Sequence, residues 1–260
     1  MPEAAFYLPD GDGFVATEHT RGPWDERAQH AGPPCALIAH VLEAAHPRAD
    51  ARMARITVEI LRPVAIGPLR VTTEVARGGR NVELLAASLS TPDGPAMLAR
   101  AWRIRTAELD VTARAEPPPP APGEGTPEPF WPDAPATGWH TGVEARFTHG
   151  AWRRPGPAGV WFRARRPLLP ATAWTPLARV LLVADAGNGV SGEADPGTLL
   201  FVNTDLTVAC HRLPVGEWIH VDARTWLEAD GTGLAASALS DERGLLGRGL
   251  QSLFVAPVRP

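Results

Sequence analysis

A chain that repeats itself can fold only into something that can be built twice. Ile56-Thr57-Val58 returns as Leu206-Thr207-Val208, Arg62-Pro63-Val64 as Arg212-Leu213-Pro214-Val215, and Leu85-Ala86-Ala87-Ser88 as Leu234-Ala235-Ala236-Ser237. The copies stay about 150 residues apart, and Arg100 with Arg248 continues the series, so the matches read as one duplication. Between them, Pro117 to Pro135 is dense in proline. Each proline removes an N–H and restricts its predecessor, so this run is predicted to be an extended surface connector that neither pairs in a sheet nor continues a helix. The 260 residues therefore divide into 1–110, a proline-rich linker over 111–140, and 141–260.

Each half carries the same order of elements. In the first, Gly13 to Thr20 reads as a strand and Pro33 to Ala45 as a helix opened by Gly32-Pro33-Pro34, proline being suited to the first turn. Leu37, Ile38, Val41, Leu42 and Ala45 recur at helical spacing with few charges, so that helix is predicted to be buried. Period-two stretches follow: Ile56, Val58 and Ile60, then Leu69 to Val75, Val82 to Ser90, and Ala96 to Ile104, separated by turn residues. The second half repeats this, with Val160 to Arg165, a helix from Thr175 as N-cap and Pro176 at the first position, and strands over Thr198 to His211, Glu217 to Glu228, Gly233 to Ser240 and Leu245 to Val255. The pattern is α+β: two antiparallel sheets, each wrapped around a central apolar helix.

Charge and targeting signals narrow the function. With 25 Lys+Arg against 29 Asp+Glu, a net charge of -4 and 21% charged residues, nothing favours nucleic acid or an anionic membrane as partner. The N-terminus has no basic stretch followed by an apolar one, and no apolar run reaches the roughly 20 residues that span a bilayer, which predicts a cytoplasmic protein. Cys35 and Cys210 lie far apart without ligand spacing and read as reduced, buried thiols. The eight histidines lack metal-site spacing, so no metal and no cofactor is predicted. Gly187-Asn188-Gly189-Val190-Ser191-Gly192 satisfies G-x-G-x-x-G, but Glu193-Ala194-Asp195-Pro196-Gly197 follows where a helix should start, so it reads as the loop ending the second helix. Trp102, Trp161, Trp174, Trp218 and Trp226 fall in or near strands and turns, as core or interface residues, with one or two of them as candidates to line an acyl tunnel.

Taken in order, His30-Ala31-Gly32-Pro33-Pro34, Ala184-Asp185-Ala186, Asn203-Thr204-Asp205-Leu206-Thr207 with His211-Arg212, and Gly249-Leu250-Gln251-Ser252 resemble the acyl-CoA thioesterase II type of double-hotdog protein, within the thioesterase-like superfamily. The resemblance spans nearly the whole chain, with the proline segment as the link between hotdogs. It implies a hydrolase of acyl-CoA or related acyl thioesters and self-association into a homo-oligomer. It also implies that an Asp on the second helix, a Thr on the next strand and a Gln on the last strand hold the attacking water. Those positions fall on Asp185, Asn203 and Gln251; Asn203 stands where the family has Thr, and Thr204 is one residue on. Because strand neighbours point to opposite faces, Thr204 takes over only with a register shift, whereas Asn203 itself offers a donor and an acceptor.

Residue chemistry agrees. A carboxylate on a helix as apolar as the one ending in Val183-Ala184-Asp185 is costly to bury unless paired or used. Its structural alternative is a residue capping its own turn; for Gln251 it is a solvated strand position, and for Asn203 and Thr204 a strand edge. Developing charge on the thioester oxygen calls for N–H donors, and the helix opening at His30 and Gly32 is the expected place. His30 reads as orienting that entry. Neither Leu42 nor Ala36, the residues opposite Asp185 in the first half, is a carboxylate, so a single site is expected. Two rival functions stand beside hydrolysis: a hydratase or dehydratase pairing His30 with Asp185, and a non-catalytic acyl-thioester binder.

Overall fold

The computed structural model describes residues 5–114, 116–128, 134–195 and 197–258. The first half runs β1 (Tyr7–Asp10), β2 (Gly13–Ala16), α1 (Gly32–Ala45), β3 (Ala51–Ile60), β4 (Pro68–Arg77), β5 (Val82–Thr91) and β6 (Gly94–Arg105). A connecting region holds β7 (Thr126–Pro127) and α2 (Trp139–Gly142). The second half runs β8 (Val143–His149), β9 (Ala158–Ala164), α3 (Pro176–Ala184), α4 (Gly187–Val190), β10 (Leu199–Asn203), β11 (Asp205–Cys210), β12 (Trp218–Leu227), β13 (Thr232–Asp241) and β14 (Gly244–Pro257).

Two sheets were expected from the two hydrophobic patterns, and this is corrected: among the described residues the strands form one 14-stranded sheet. The reason is an edge-to-edge pairing that no periodicity reports. β3 and β11 run antiparallel with Thr57 opposite Thr207, Ile56 opposite Val208 and Val58 opposite Leu206, so each half satisfies the other's edge. The two Thr hydroxyls lie 3.0 Å apart. Strand order is β2-β4-β5-β6-β3 on one side and β11-β14-β13-β12-β9 on the other, a mirrored sequence about that pair.

Register makes the repeat sharper than its letters do. Thr57 pairs with Arg100 and Thr207 with Leu250, so Leu250, and not Arg248, is the counterpart of Arg100. Leu85 pairs with Ala101 and Ala235 with Gln251, so the matching Leu-Ala-Ala-Ser strings are one residue out of step. A one-residue slip swaps faces, and Leu85 is fully buried while Leu234 is 43% exposed. The irregularities repeat too: the shift at Leu89/Ser90 returns at Leu239/Ser240, and the hairpin glycines Gly94 and Gly244 both take a left-handed φ, 106° and 108°.

α1 and α3 pack against one another and against the same sheet face. From Cys35 to Ala39, and at Leu42, α1 has no exposed surface, and Leu177, Ala178 and Val180 to Ala184 of α3 are buried. Thr175 caps α3 by accepting from the Ala178 N–H at 3.4 Å. Both cysteines are free and buried.

Four boundaries differ from expectation. The Gly13–Thr20 strand stops at Ala16, because Thr17 caps a short 3₁₀ turn over Glu18–Thr20. The Thr198–His211 strand breaks at Thr204, where the register with β14 slips by one; β3 slips at the equivalent place, between Met53 and Arg55. Gly187–Val190 forms a helical turn where a loop was expected. The proline segment is pinned as well as extended: Pro127 pairs with Arg146, Pro122 is buried, and the Pro120 carbonyl accepts from Trp161 Nε1 at 2.7 Å. Part of that segment, 129–133, lies outside the described residues.

Candidate active site

Asp185 follows the last turn of α3 with helical backbone angles, and only 5% of it is exposed. Its side chain does not cap its own turn. Oδ1 accepts from Asn203 Nδ2 at 2.9 Å and from Gln251 Nε2 at 3.3 Å, while Oδ2 sits 3.2 Å from His30 Nδ1. Four elements thus converge on one carboxylate: α3, the end of β10, the inner face of β14 and the entry to α1. Such a group is tolerated in an apolar core because charge-assisted hydrogen bonds replace its water.

Gln251 is 1% exposed, which excludes the solvated-strand reading. Its Nε2 also donates to the Asp185 carbonyl at 3.0 Å, and its Oε1 accepts the Asn188 N–H at 3.1 Å. A Cβ at Gly187 would lie 2.9 Å from that Oε1, so glycine there lets α4 settle onto the amide. Asn203 is the residue that the break after β10 turns inward. Both its amide hydrogens are engaged, by Asp185 and by the Asp205 carbonyl at 3.1 Å, which leaves Oδ1 as an acceptor. Thr204 stands on the bulge, and its hydroxyl donates to the Ser252 carbonyl at 3.4 Å, away from Asp185.

Gly32 does not serve the site as expected. Its N–H points to His30 Nδ1 at 3.0 Å, and it is not among the residues lining the cavity. Pro33 and Pro34 have no N–H, and the Cys35 N–H is taken by the Ala31 carbonyl at 3.1 Å. The first turn of α1 therefore offers no open donor. Gly32 is required for packing, since a Cβ there would meet the Leu182 carbonyl oxygen at 2.2 Å.

His30 is stacked on Trp139, ring centroids 4.1 Å apart and planes within 5°. Trp139 comes from the segment assigned to the linker, and its Nε1 donates to the Leu182 carbonyl at 3.0 Å, three residues before Asp185. Burial holds His30 below the ordinary imidazole value; the Asp185 charge pulls it up, and His140 pushes it down again. The ring is therefore neutral at pH 7.

The site opens into a cavity of about 390 Å³ whose walls include Trp24, Trp139, Trp152, Phe201, Phe254 and Met97, and His30, Asp185, Asn203 and Thr204 line it too. None of the five tryptophans singled out from the sequence lines it, and Trp226 is 43% exposed on the outer sheet face. In the first half, the register makes Ala101 the counterpart of Gln251 and Met53 the counterpart of Asn203. Both are buried and apolar, so among the described residues the first half carries no copy of the polar cluster at these positions. Among the described residues no group of three His, Cys, Asp or Glu is arranged to hold a metal ion, and no helix is long and apolar enough to cross a membrane.

Solved structures with this fold span almost the whole chain. A hot dog fold protein of unknown function from Alicyclobacillus acidocaldarius aligns with TM-score 0.74 at 16% identity, covering 98% of this chain and 96% of that one. The tesB protein of Mycobacterium avium subs paratuberculosis aligns with TM-score 0.70 at 15% identity, covering 96% of each. The acyl-CoA thioesterase II TesB2 of Mycobacterium marinum aligns with TM-score 0.68 at 15% identity, covering 96% and 94%. No curated protein sequence matches. Family models for the acyl-CoA thioesterase N-terminal and C-terminal domains match residues 20–104 and 115–255. The chain belongs to the acyl-CoA thioesterase family and is a thioester hydrolase.

Proposed function

We propose that this protein hydrolyses an acyl-CoA thioester by direct attack of a water that Asp185 deprotonates, with no covalent enzyme intermediate. The observation carrying this reading is a buried carboxylate that lines an apolar cavity and is held through Oδ1 by Asn203 and Gln251. Asp185 is the general base. Asn203 orients it and offers Oδ1 to the water's second proton. Gln251, buried behind the carboxylate, is a positioning residue. His30 presents a neutral N–H to the substrate, while Gly32 and Thr204 shape the site without entering the chemistry.

The aromatic walls of the cavity, Trp24, Trp139, Trp152, Phe201 and Phe254, suit an apolar acyl group. Arg62 lines the same cavity as a cation for the CoA end.

The architecture in this reading is a double hotdog, residues 1–110 and 141–260 joined through 111–140, so that one chain imitates a dimer. It works in the cytoplasm as a homo-oligomer. Trp226, Leu234 and Leu250, at 43%, 43% and 45% exposure on neighbouring strands of the outer face, support self-association.

The test is thiol release from a panel of acyl-CoA esters from acetyl to palmitoyl, with benzoyl- and phenylacetyl-CoA included. Asp185→Asn keeps an oxygen for Asn203 and Gln251 and turns an amide toward His30 Nδ1, so it is expected to fold and to lose about 10²- to 10⁴-fold in kcat. Full activity in that variant would refute the site, and no release from any ester by wild type would refute the function. The His30–Asp185 contact at 3.2 Å favours a hydratase as second reading, and hydration of crotonyl-CoA without thiol release would establish it.

A further inference from the structure

His30 is held more tightly than a residue that only shapes a loop. Its N–H donates to the Thr20 carbonyl at 2.7 Å, its ring lies flat on Trp139, and Nδ1 faces both the Gly32 N–H at 3.0 Å and Asp185 Oδ2 at 3.2 Å. One ring nitrogen cannot serve both neighbours in the same way. With its proton on Nε2, the ring accepts from Gly32 and turns a lone pair toward Asp185. That contact is repulsive while Asp185 is a carboxylate and becomes a hydrogen bond once Oδ2 carries a proton. Since Nδ1 is engaged inside the protein, Nε2–H is the atom His30 offers to the cavity it lines.

We propose that His30 is a second catalytic residue, which gives its Nε2 proton to the departing thiolate and takes at Nδ1 the proton that Asp185 removed from water. This rests on Asp185 being the base. As the water oxygen bonds to the acyl carbon, its proton passes to Asp185 Oδ2 and the carbonyl π pair moves to oxygen. Collapse restores the carbonyl and breaks the C–S bond; the electron pair stays on sulfur, which takes the Nε2 proton. Oδ2–H then protonates Nδ1. One water is consumed, a carboxylic acid and a thiol leave, Asp185 is ionised again, and His30 is neutral in its other tautomer. Solvent then gives Nε2 a proton through the cavity while Nδ1 hands its own back to Asp185 Oδ2, which loses it to water, so no net charge is gained.

The test compares two thioesters of one acyl group: the CoA ester, whose alkyl thiol resembles cysteine with a pKa of about 8.5, and a nitrothiophenyl ester, whose thiolate needs no proton to leave. His30→Gln keeps a donor amide near the Nε2 position, and His30→Asn keeps an acceptor for Gly32. Both variants are expected to lose about 100-fold in kcat on the CoA ester and far less on the aryl ester. Equal losses on both would mean that His30 only positions Asp185 or donates to the carbonyl oxygen, and would overturn the role alone. Wild-type turnover of neither ester would overturn it together with the hydrolase reading. If neither variant folds, the wild-type solvent isotope effect decides: larger for the CoA ester supports the relay, equal for the two overturns it.

Discussion

Replacing Gln251 by Glu changes almost nothing in volume and nearly everything in charge around Asp185. The wild-type amide gives the carboxylate a donor 3.3 Å from Oδ1 and fixes the Asp185 carbonyl at 3.0 Å. In Gln251→Glu that donor becomes an oxygen. Two unit charges 3.3 Å apart repel by about 5 kcal/mol at an effective dielectric constant of 20. The pair therefore holds one proton between them near neutrality, and Asp185 is no longer free to take the water's. We expect kcat to fall by at least about 100-fold at pH 7.5, the scale of a lost general base. Because a shared proton relieves the repulsion, the variant's stability deficit against wild type should be largest at pH 8 and shrink toward pH 5. Thiol-release rates and thermal melts at both pH values measure this. Gln251→Met separates charge from lost bonds: it leaves the Asn188 N–H unpaired, at about 1–3 kcal/mol, with no pH-dependent deficit. A Gln251→Glu enzyme with wild-type kcat and a pH-independent deficit would refute this reasoning.

Three further outcomes follow from the same structure. Burial, with His149 adding to it, pushes His220 down to about 4 from 6.5. Its folded value lies below its unfolded one, so stability is complete above pH 6.5 and is lost as pH falls toward 4, by ~3 kcal/mol at 1.36 kcal/mol per unit. His220→Gln should flatten that part of a melting-temperature profile, and an unchanged slope would refute the assignment. Gly32→Ala drives a methyl into the Leu182 backbone, which should cost roughly 1–3 kcal/mol and lower Tm by several degrees; an unchanged Tm would count against the tight α1–α3 contact. Asn203→Leu should lower kcat roughly tenfold to a hundredfold, matching the loss of a hydrogen bond worth about 1.5–3 kcal/mol to a charged group, with KM unchanged, while Asn203→Thr should stay active.

Much of this was legible in the residues, and the limits are physical. Period-two and helical spacing marked most strands of both halves and the two apolar helices, but not β1, β7 or β8, and the order of motifs pointed to the family. The separation of the copies was visible, yet matching letters aligned Leu85 with Leu234 when strand pairing aligns it with Ala235. Composition tolerates a one-residue slip that the sheet does not. The β3–β11 seam was invisible because both edges read as ordinary strands. Asp185, Asn203 and Gln251 were named from the resemblance, and the structure brings them together. Trp139 was missed, for it lies beyond a proline run that reads as linker, and nothing local announces a ring stacked on His30. The opening of α1 offered a plausible N–H cradle, but its donors are removed by two prolines and by His30 itself.

The central claim, direct attack by an Asp185-activated water, is tested most directly by one turnover in ¹⁸O-water with enzyme in excess over acyl-CoA. Direct attack puts one ¹⁸O into the released acid and leaves the peptide containing Asp185 unlabelled. Label in that peptide, with an unlabelled acid from the first turnover, would mean that Asp185 is acylated and would contradict the account.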